Sequence, residues 1–272
     1  TLLDRVKAYE LKILACIAQN QSLKAVEIAI QVLRLLGVNL TEKPNKFRVL
    51  LEAIATKLAL RGKSIDSLIA LPEMTQPYKL AAMRIIGLIG SPAYNATPKF
   101  MPLLAFKGIK LSLKYGNTSM SAYGYASYGV ILCGVLGDID AGYQFGKLAL
   151  HLLERFNAKE LKARTFMVFN NFIRHWKEHI KAGLKPLLEA YSSGLETGDI
   201  EFAAYSAYIY CYHSYTIGKE LSQLRQEMAA YSHAISQLGQ EISINLLEIY
   251  HKVVLTLLGE AENTFFLKNQ PR

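Results

Sequence analysis

The chain has 272 residues, 51% of them hydrophobic and only 19% charged, which excludes a disordered segment and leaves ample apolar material for a buried core. Its formal net charge of +9 is uneven: residues 1–187 hold 26 basic and 12 acidic side chains, while residues 188–272 hold 5 and 10. Cys16, Cys133 and Cys211 are odd in number, widely separated and flanked by apolar residues, a pattern of reduced core thiols in a cytoplasmic protein that excludes a disulfide framework.

Apolar residues recur at helical spacing almost throughout, and no alternating strand pattern occurs. Helices are predicted at 4–19 and 22–36, a pair in which Ala25 and Ala29 permit close approach, followed by Gly37. Thr1 opens directly into this pattern with no initiator Met and no signal peptide, and the chain closes abruptly on Gln270-Pro271-Arg272. Both ends are therefore expected to lie inside a longer protein. A helix at 45–61 completes an N-terminal repeat region, 1–61. Residues 62–98, where Pro72, Pro77, Pro92 and Pro98 interrupt the pattern around a helix at 77–90, form an irregular connection. From 99 to 272 we expect one continuous helical stack.

Within that stack a helix at 98–115 carries Lys107, Lys110 and Lys114 on one face without acidic neighbours, in a stretch with no carboxylate between Glu73 and Asp138. Clustered cations of this kind suit a solvated face or docking onto an acidic domain of the same polypeptide, and more remotely the phosphates of a nucleic acid. Tyr115 to Gly137 holds no formal charge over 23 residues, but its five Gly, three Ser and four Tyr are too polar for a bilayer helix. The helices predicted at 119–136 and 138–156 come close to a tetratricopeptide unit: Tyr128-Gly129 supplies a large-then-small pair, and Ala141 and Phe145 a small contact and an aromatic plug. Ile139-Asp140-Ala141-Gly142 recurs 41 residues on as Ile180-Lys181-Ala182-Gly183, a period longer than the usual 34.

The helix predicted at 159–178 ends in His175-Trp176-Lys177-Glu178-His179, which matches H-x-x-E-H. On a helix His175 and His179 would share a face and could grip zinc, with Glu178 as base and Glu248 as a distant third ligand. The absence of strands weighs against a peptidase, and solvated polar residues at a helix end are ordinary, so we assign no metal, no cofactor and no catalytic residue. Helices follow at 180–196, 199–216, 219–237 and 240–258. In the second of these Tyr205, Tyr208, Tyr212 and Tyr215 fall on one face, either as phenols offered to a peptide or small polar ligand or as interhelical packing. Connections of two to five residues make consecutive helices antiparallel. The expected architecture is all-α, an α-solenoid of helix hairpins wound as a tetratricopeptide-like right-handed superhelix.

Several blocks together carry a resemblance: Leu71-Pro72-Glu73-Met74-Thr75-Gln76-Pro77-Tyr78-Lys79-Leu80-Ala81-Ala82-Met83-Arg84, Leu113-Lys114-Tyr115-Gly116-Asn117, Gly137-Asp138-Ile139 through Gly146, Phe172 through His179, and Gly194-Leu195-Glu196-Thr197-Gly198-Asp199. The chain resembles the helical region of the cyanobacterial multi-sensor signal-transduction multi-kinases. These join a serine/threonine kinase, a STAND/AAA-like ATPase, this helical region, a GAF sensor and a histidine kinase. The resemblance implies that kinase and ATPase sites lie outside these residues. It also implies that His175 to His179 is a packing or surface feature, and that the segment relays signals between the ATPase and the GAF and histidine kinase parts. The function expected is thus a non-catalytic interaction and sensor scaffold, whose partners are flanking domains or another protein and whose candidate binding residues are Lys107, Lys110, Lys114, Tyr205, Tyr208, Tyr212 and Tyr215. A zinc hydrolase built on His175, Glu178 and His179, or a basic nucleic-acid-binding repeat, is the alternative.

Overall fold

A computed structural model describes residues 2–41 and 44–260, and every regular element among them is a helix. They separate into two compact units, Thr1–Leu161 and Lys162–Arg272. The first unit contains α1 (Leu2–Ala18), α2 (Ser22–Leu35), α3 (Lys46–Leu60), α4 (Ile65–Ile69), α5 (Pro77–Leu88), α6 (Gly90–Ala96), α7 (Phe100–Tyr115), α8 (Ser119–Gly134) and α9 (Ile139–Arg155). The second contains α10 (Lys162–Phe172), α11 (Leu184–Thr197), α12 (Ile200–Thr216), α13 (Leu221–Gln237) and α14 (Glu241–Leu257).

In the first unit α1 and α2 pair through Ile13, Ala25, Ala29 and Leu33, all fully buried, and α5 and α6 close over them with Ile85, Ile89 and Ala93. The small alanines do what their spacing predicts, letting the helix axes approach. The proline-rich stretch is more ordered than its composition suggests: it contains two short helices, α4 and α6, and is tied down from three sides. Asn117, in the turn after α7, is fully buried, accepts a hydrogen bond from Tyr125 Oη (3.3 Å) and donates to the Leu68 carbonyl (2.7 Å). Its backbone pairs with Pro72 and Met74 in an isolated parallel bridge, and Arg155 of α9 donates to the carbonyls of Ile69 and Leu71. Gly116 makes this possible. Its φ is +100°, and a Cβ there would collide with the Pro72 carbonyl oxygen.

The α8–α9 hairpin is the closest pairing in this unit. Thr118 starts α8 with a capping box, its Oγ1 accepting from Met120 N while Ser121 Oγ accepts from Thr118 N, and Asp138 caps α9 by accepting from Ala141 N. Tyr128 and Phe145 meet edge to face at 4.9 Å, as the large-small pattern predicts. The close backbone contact is made by Gly142, whose missing Cβ leaves room for Cys133 Sγ and the Gly129 carbonyl, and not by Ala141, which is half-buried.

In the second unit α10, α11 and α12 pack in sequence, and α12 is covered further by α13 and α14. Asp199, at the start of α12, holds Arg164 of α10 in a two-pronged ion pair at 2.8 and 2.9 Å. The predicted helix at 159–178 is shorter: α10 ends at Phe172, and 3-10 turns at Arg174–Trp176 and Ile180–Gly183 lead into α11. The recurrence at 180–183 therefore does not form the same structure as 139–142, which is the first turn of α9.

Candidate functional site

Helix α3 carries more apolar side chains than one buried face needs. Glu52 and Thr56 turn toward α7, where Lys110 Nζ lies 2.5 Å from Glu52 Oε2 and Thr56 is fully buried. Phe47, Leu50, Leu51, Ile54 and Leu58, at i, i+3, i+4, i+7 and i+11, form a second stripe that is 44 to 69% exposed. Part of this stripe is one wall of a groove of about 680 Å³. The opposite wall comes from the α8–α9 hairpin, with Tyr128, Leu132, Leu136 and Phe145, so both sides are apolar and both stand on paired helices.

The polar groups of the groove are few. Lys57 stands in the C-terminal half of α3 and Arg61 directly follows the helix, and neither pairs with a carboxylate among the described residues. Asp138 lies on the far wall, its carboxylate engaged as the α9 cap. That anion and burial together push the Tyr128 phenol above its ordinary value, burial being the larger cause. The charge of the surrounding unit is one-sided. Residues 1–161 hold 20 basic and 11 acidic side chains and so carry the whole excess of +9, whereas residues 162–272 hold 11 of each.

The lysines singled out in the sequence adjoin this region from behind α3. Lys107 and Lys110 are half-buried beside Glu52, so the expectation of a face without acidic neighbours is corrected: the carboxylate comes from α3, 58 residues away in sequence from Lys110. Burial alone would push the Glu52 carboxyl up, but the Lys110 hydrogen bond, with the charges of Lys110, Lys107 and Arg48, holds it below its ordinary value. Lys107 is pushed down, chiefly by burial, against the pull of Glu52. Lys114 is exposed and lies 5.2 Å from the Tyr115 ring centre, which Lys79 also approaches at 5.6 Å. The three lysines thus do not form one unpaired stripe.

Tyr205, Tyr208, Tyr212 and Tyr215 are all half-buried on one side of α12. Tyr250 of α14 stands against three of them, with ring centres 6.2 Å from Tyr208, 4.9 Å from Tyr212 and 6.1 Å from Tyr215. Tyr205 packs on Phe202. Burial, then the neighbouring Tyr250 and Tyr212, push the Tyr208 phenol up to about 12.

The H-x-x-E-H motif has no common helix face. His175 lies in a 3-10 turn, and His179 is in extended backbone, its Nδ1 accepting from Lys181 N as the cap of the next turn. Glu178 is paired with Arg174 at 2.8 Å. Among the described residues no three His, Cys, Asp or Glu side chains are grouped to hold a metal ion. The zinc geometry needs an unbroken helix through 179, and α10 stops at Phe172. The structure adds a histidine that sequence reasoning missed: His213 of α12, 1% exposed, has no hydrogen-bond partner at Nδ1.

The groove was also missed. Its signal in the sequence is the apolar stripe of residues 46–60, which reads as the buried face of an ordinary helix until its neighbours are known. No helix among the described residues is long and apolar enough to cross a membrane.

No family model matches the chain, and no solved structure matches it. Over 188 residues, 68% of its length, it is 23% identical to hybrid signal transduction histidine kinase G of Dictyostelium discoideum. It spans 6% of the length of that relative. Most of the chain is thus similar to a small part of a signal-transduction kinase.

Proposed function

We propose that this chain is a non-catalytic, helical interaction and sensor segment of a large cytoplasmic signalling kinase, acting by binding and not by phosphoryl transfer. The similarity to one short part of a hybrid histidine kinase carries this reading. The all-helical fold suits such a segment, because paired helices build extended binding surfaces. The hairpins α1–α2, α8–α9, α11–α12 and α13–α14 are read as tetratricopeptide-like units of an α-solenoid, and in α8–α9 the Tyr128–Phe145 contact and the Gly142 approach are the packing devices. Such a segment would relay signals between an ATPase part and GAF and histidine kinase parts by favouring one arrangement of its helices when a partner binds.

The test is deletion of residues 2–260 from the longest open reading frame that contains them. Basal autophosphorylation should persist, while its response to the input signal should be lost. Unchanged regulation after the deletion would sink the reading.

A further inference from the structure

The α3 groove asks for a ligand that its dimensions and charges can specify. Its volume of about 680 Å³ is that of an ordinary small-molecule pocket, but the apolar stripe runs beyond it. Phe47 and Leu51 are exposed outside the groove and continue the line of Leu50, Ile54 and Leu58. From Phe47 to Leu58 the stripe covers roughly 17 Å of helix at 1.5 Å per residue. A compact molecule filling the groove leaves two of the five stripe residues, Phe47 and Leu51, in water. An elongated apolar ridge covers all of it, and a helix with side chains at i, i+3, i+4 and i+7 is such a ridge.

Charge selects among elongated occupants. From Lys46 to Lys63, α3 and its flank hold Lys46, Arg48, Lys57, Arg61 and Lys63 against one carboxylate, Glu52, which Lys110 and Arg48 already engage. A second copy of the chain would bring one +9 unit against another. A lipid surface would meet the α3 stripe but not the concave wall of Tyr128, Leu132 and Phe145 opposite it. We propose that the groove between α3 and the α8–α9 hairpin receives an acidic amphipathic helix of a protein partner, its apolar ridge between the two walls and its carboxylates against Lys57 and Arg61. This assignment rests on the reading of the chain as a binding segment and names the partner chemistry.

The experiment is an in vitro selection on the purified chain. The probe is a displayed library of 18-residue peptides with fixed leucines at helical spacing and all flanking positions randomised among Glu, Lys, Gln and Ala. The counter-target is the Ile54→Glu/Leu58→Glu double variant, whose altered side chains are exposed and whose folding is checked by circular dichroism. Selected peptides should be net acidic and should bind the double variant at least tenfold more weakly. Lys57→Glu/Arg61→Glu should weaken the acidic peptides similarly and favour basic ones. Enrichment that is neutral or basic, or indifferent to the groove variants, overturns the proposal. So does a concentration-dependent dimer, or binding to phosphatidylserine vesicles, that Ile54→Glu/Leu58→Glu abolishes. Should regulation of the parent kinase survive the groove variants but not the deletion of 2–260, the groove assignment fails and the proposed function stands.

Discussion

At the scale of single residues, burial decides chemistry. Cys211 is fully buried on α12, and its thiol is pushed up to about 12, first by burial and then by the Glu227 carboxylate, with Lys219 opposing. Cys133 is raised by burial and then by Asp138. Thiolate is the reactive form, so neither should react while the chain is folded. Native protein at pH 8 should therefore incorporate no iodoacetamide at Cys133 or Cys211 within an hour, and both should label fully in guanidinium. Rapid native labelling at either position contradicts their described burial.

At the scale of elements, backbone approach limits what the sequence can vary. The turn after α7 accepts only a residue that tolerates φ of +100° with the Pro72 carbonyl against its Cα, and that residue is Gly116. Gly116→Ala adds left-handed strain to a steric clash, at a cost of roughly 2 kcal/mol or more. It should also release the Asn117 bridge and with it the 71–75 segment. Chemical denaturation should show the loss of stability, and hydrogen exchange should show lost protection at the Met74 and Asn117 amides. An alanine variant as stable as the parent would refute this account of the turn.

At the scale of the whole molecule, the two units differ in their response to acid. His213 is held down to about 4 by burial and then by the nearby His175, whereas an unfolded histidine titrates near 6.5. His175 and His251 are also lowered, each chiefly by burial, and all three lie in residues 162–272. A depressed histidine binds fewer protons folded than unfolded, so stability is full above pH 6.5 and falls as pH drops toward 4. Allowing for partial solvent screening, His213 contributes on the order of 2 kcal/mol to that fall. Glu52, the half-buried ion-pair carboxylate of the first unit, is lowered instead. Its contribution is full above the ordinary carboxylate value and is lost only as pH falls from there through its lowered value. Hydrogen exchange between pH 6.5 and 4.5 should therefore show protection lost first in α10–α14. Equal or earlier loss in α1–α9 would contradict this assignment.

The sequence by itself determined that the chain is all-helical, where most helices start and stop, and which small residues permit close packing, because periodicity, caps and breakers act over a few residues. Tyr128 meeting Phe145 was legible for the same reason. The end of α10 at Phe172 was not, and with it fell the shared face of His175 and His179: no proline or glycine marks the break before Gly183. Long-range partners were also invisible. Tyr250 standing among the α12 tyrosines, Glu52 meeting Lys110, and the burial of His213 each depend on helices far away in sequence. The groove is the extreme case. Residues 46–60 carry an apolar stripe beside the polar Glu52 and Thr56, and only the tertiary structure decides that α7 covers the polar side while the apolar stripe stays exposed beside α8 and α9.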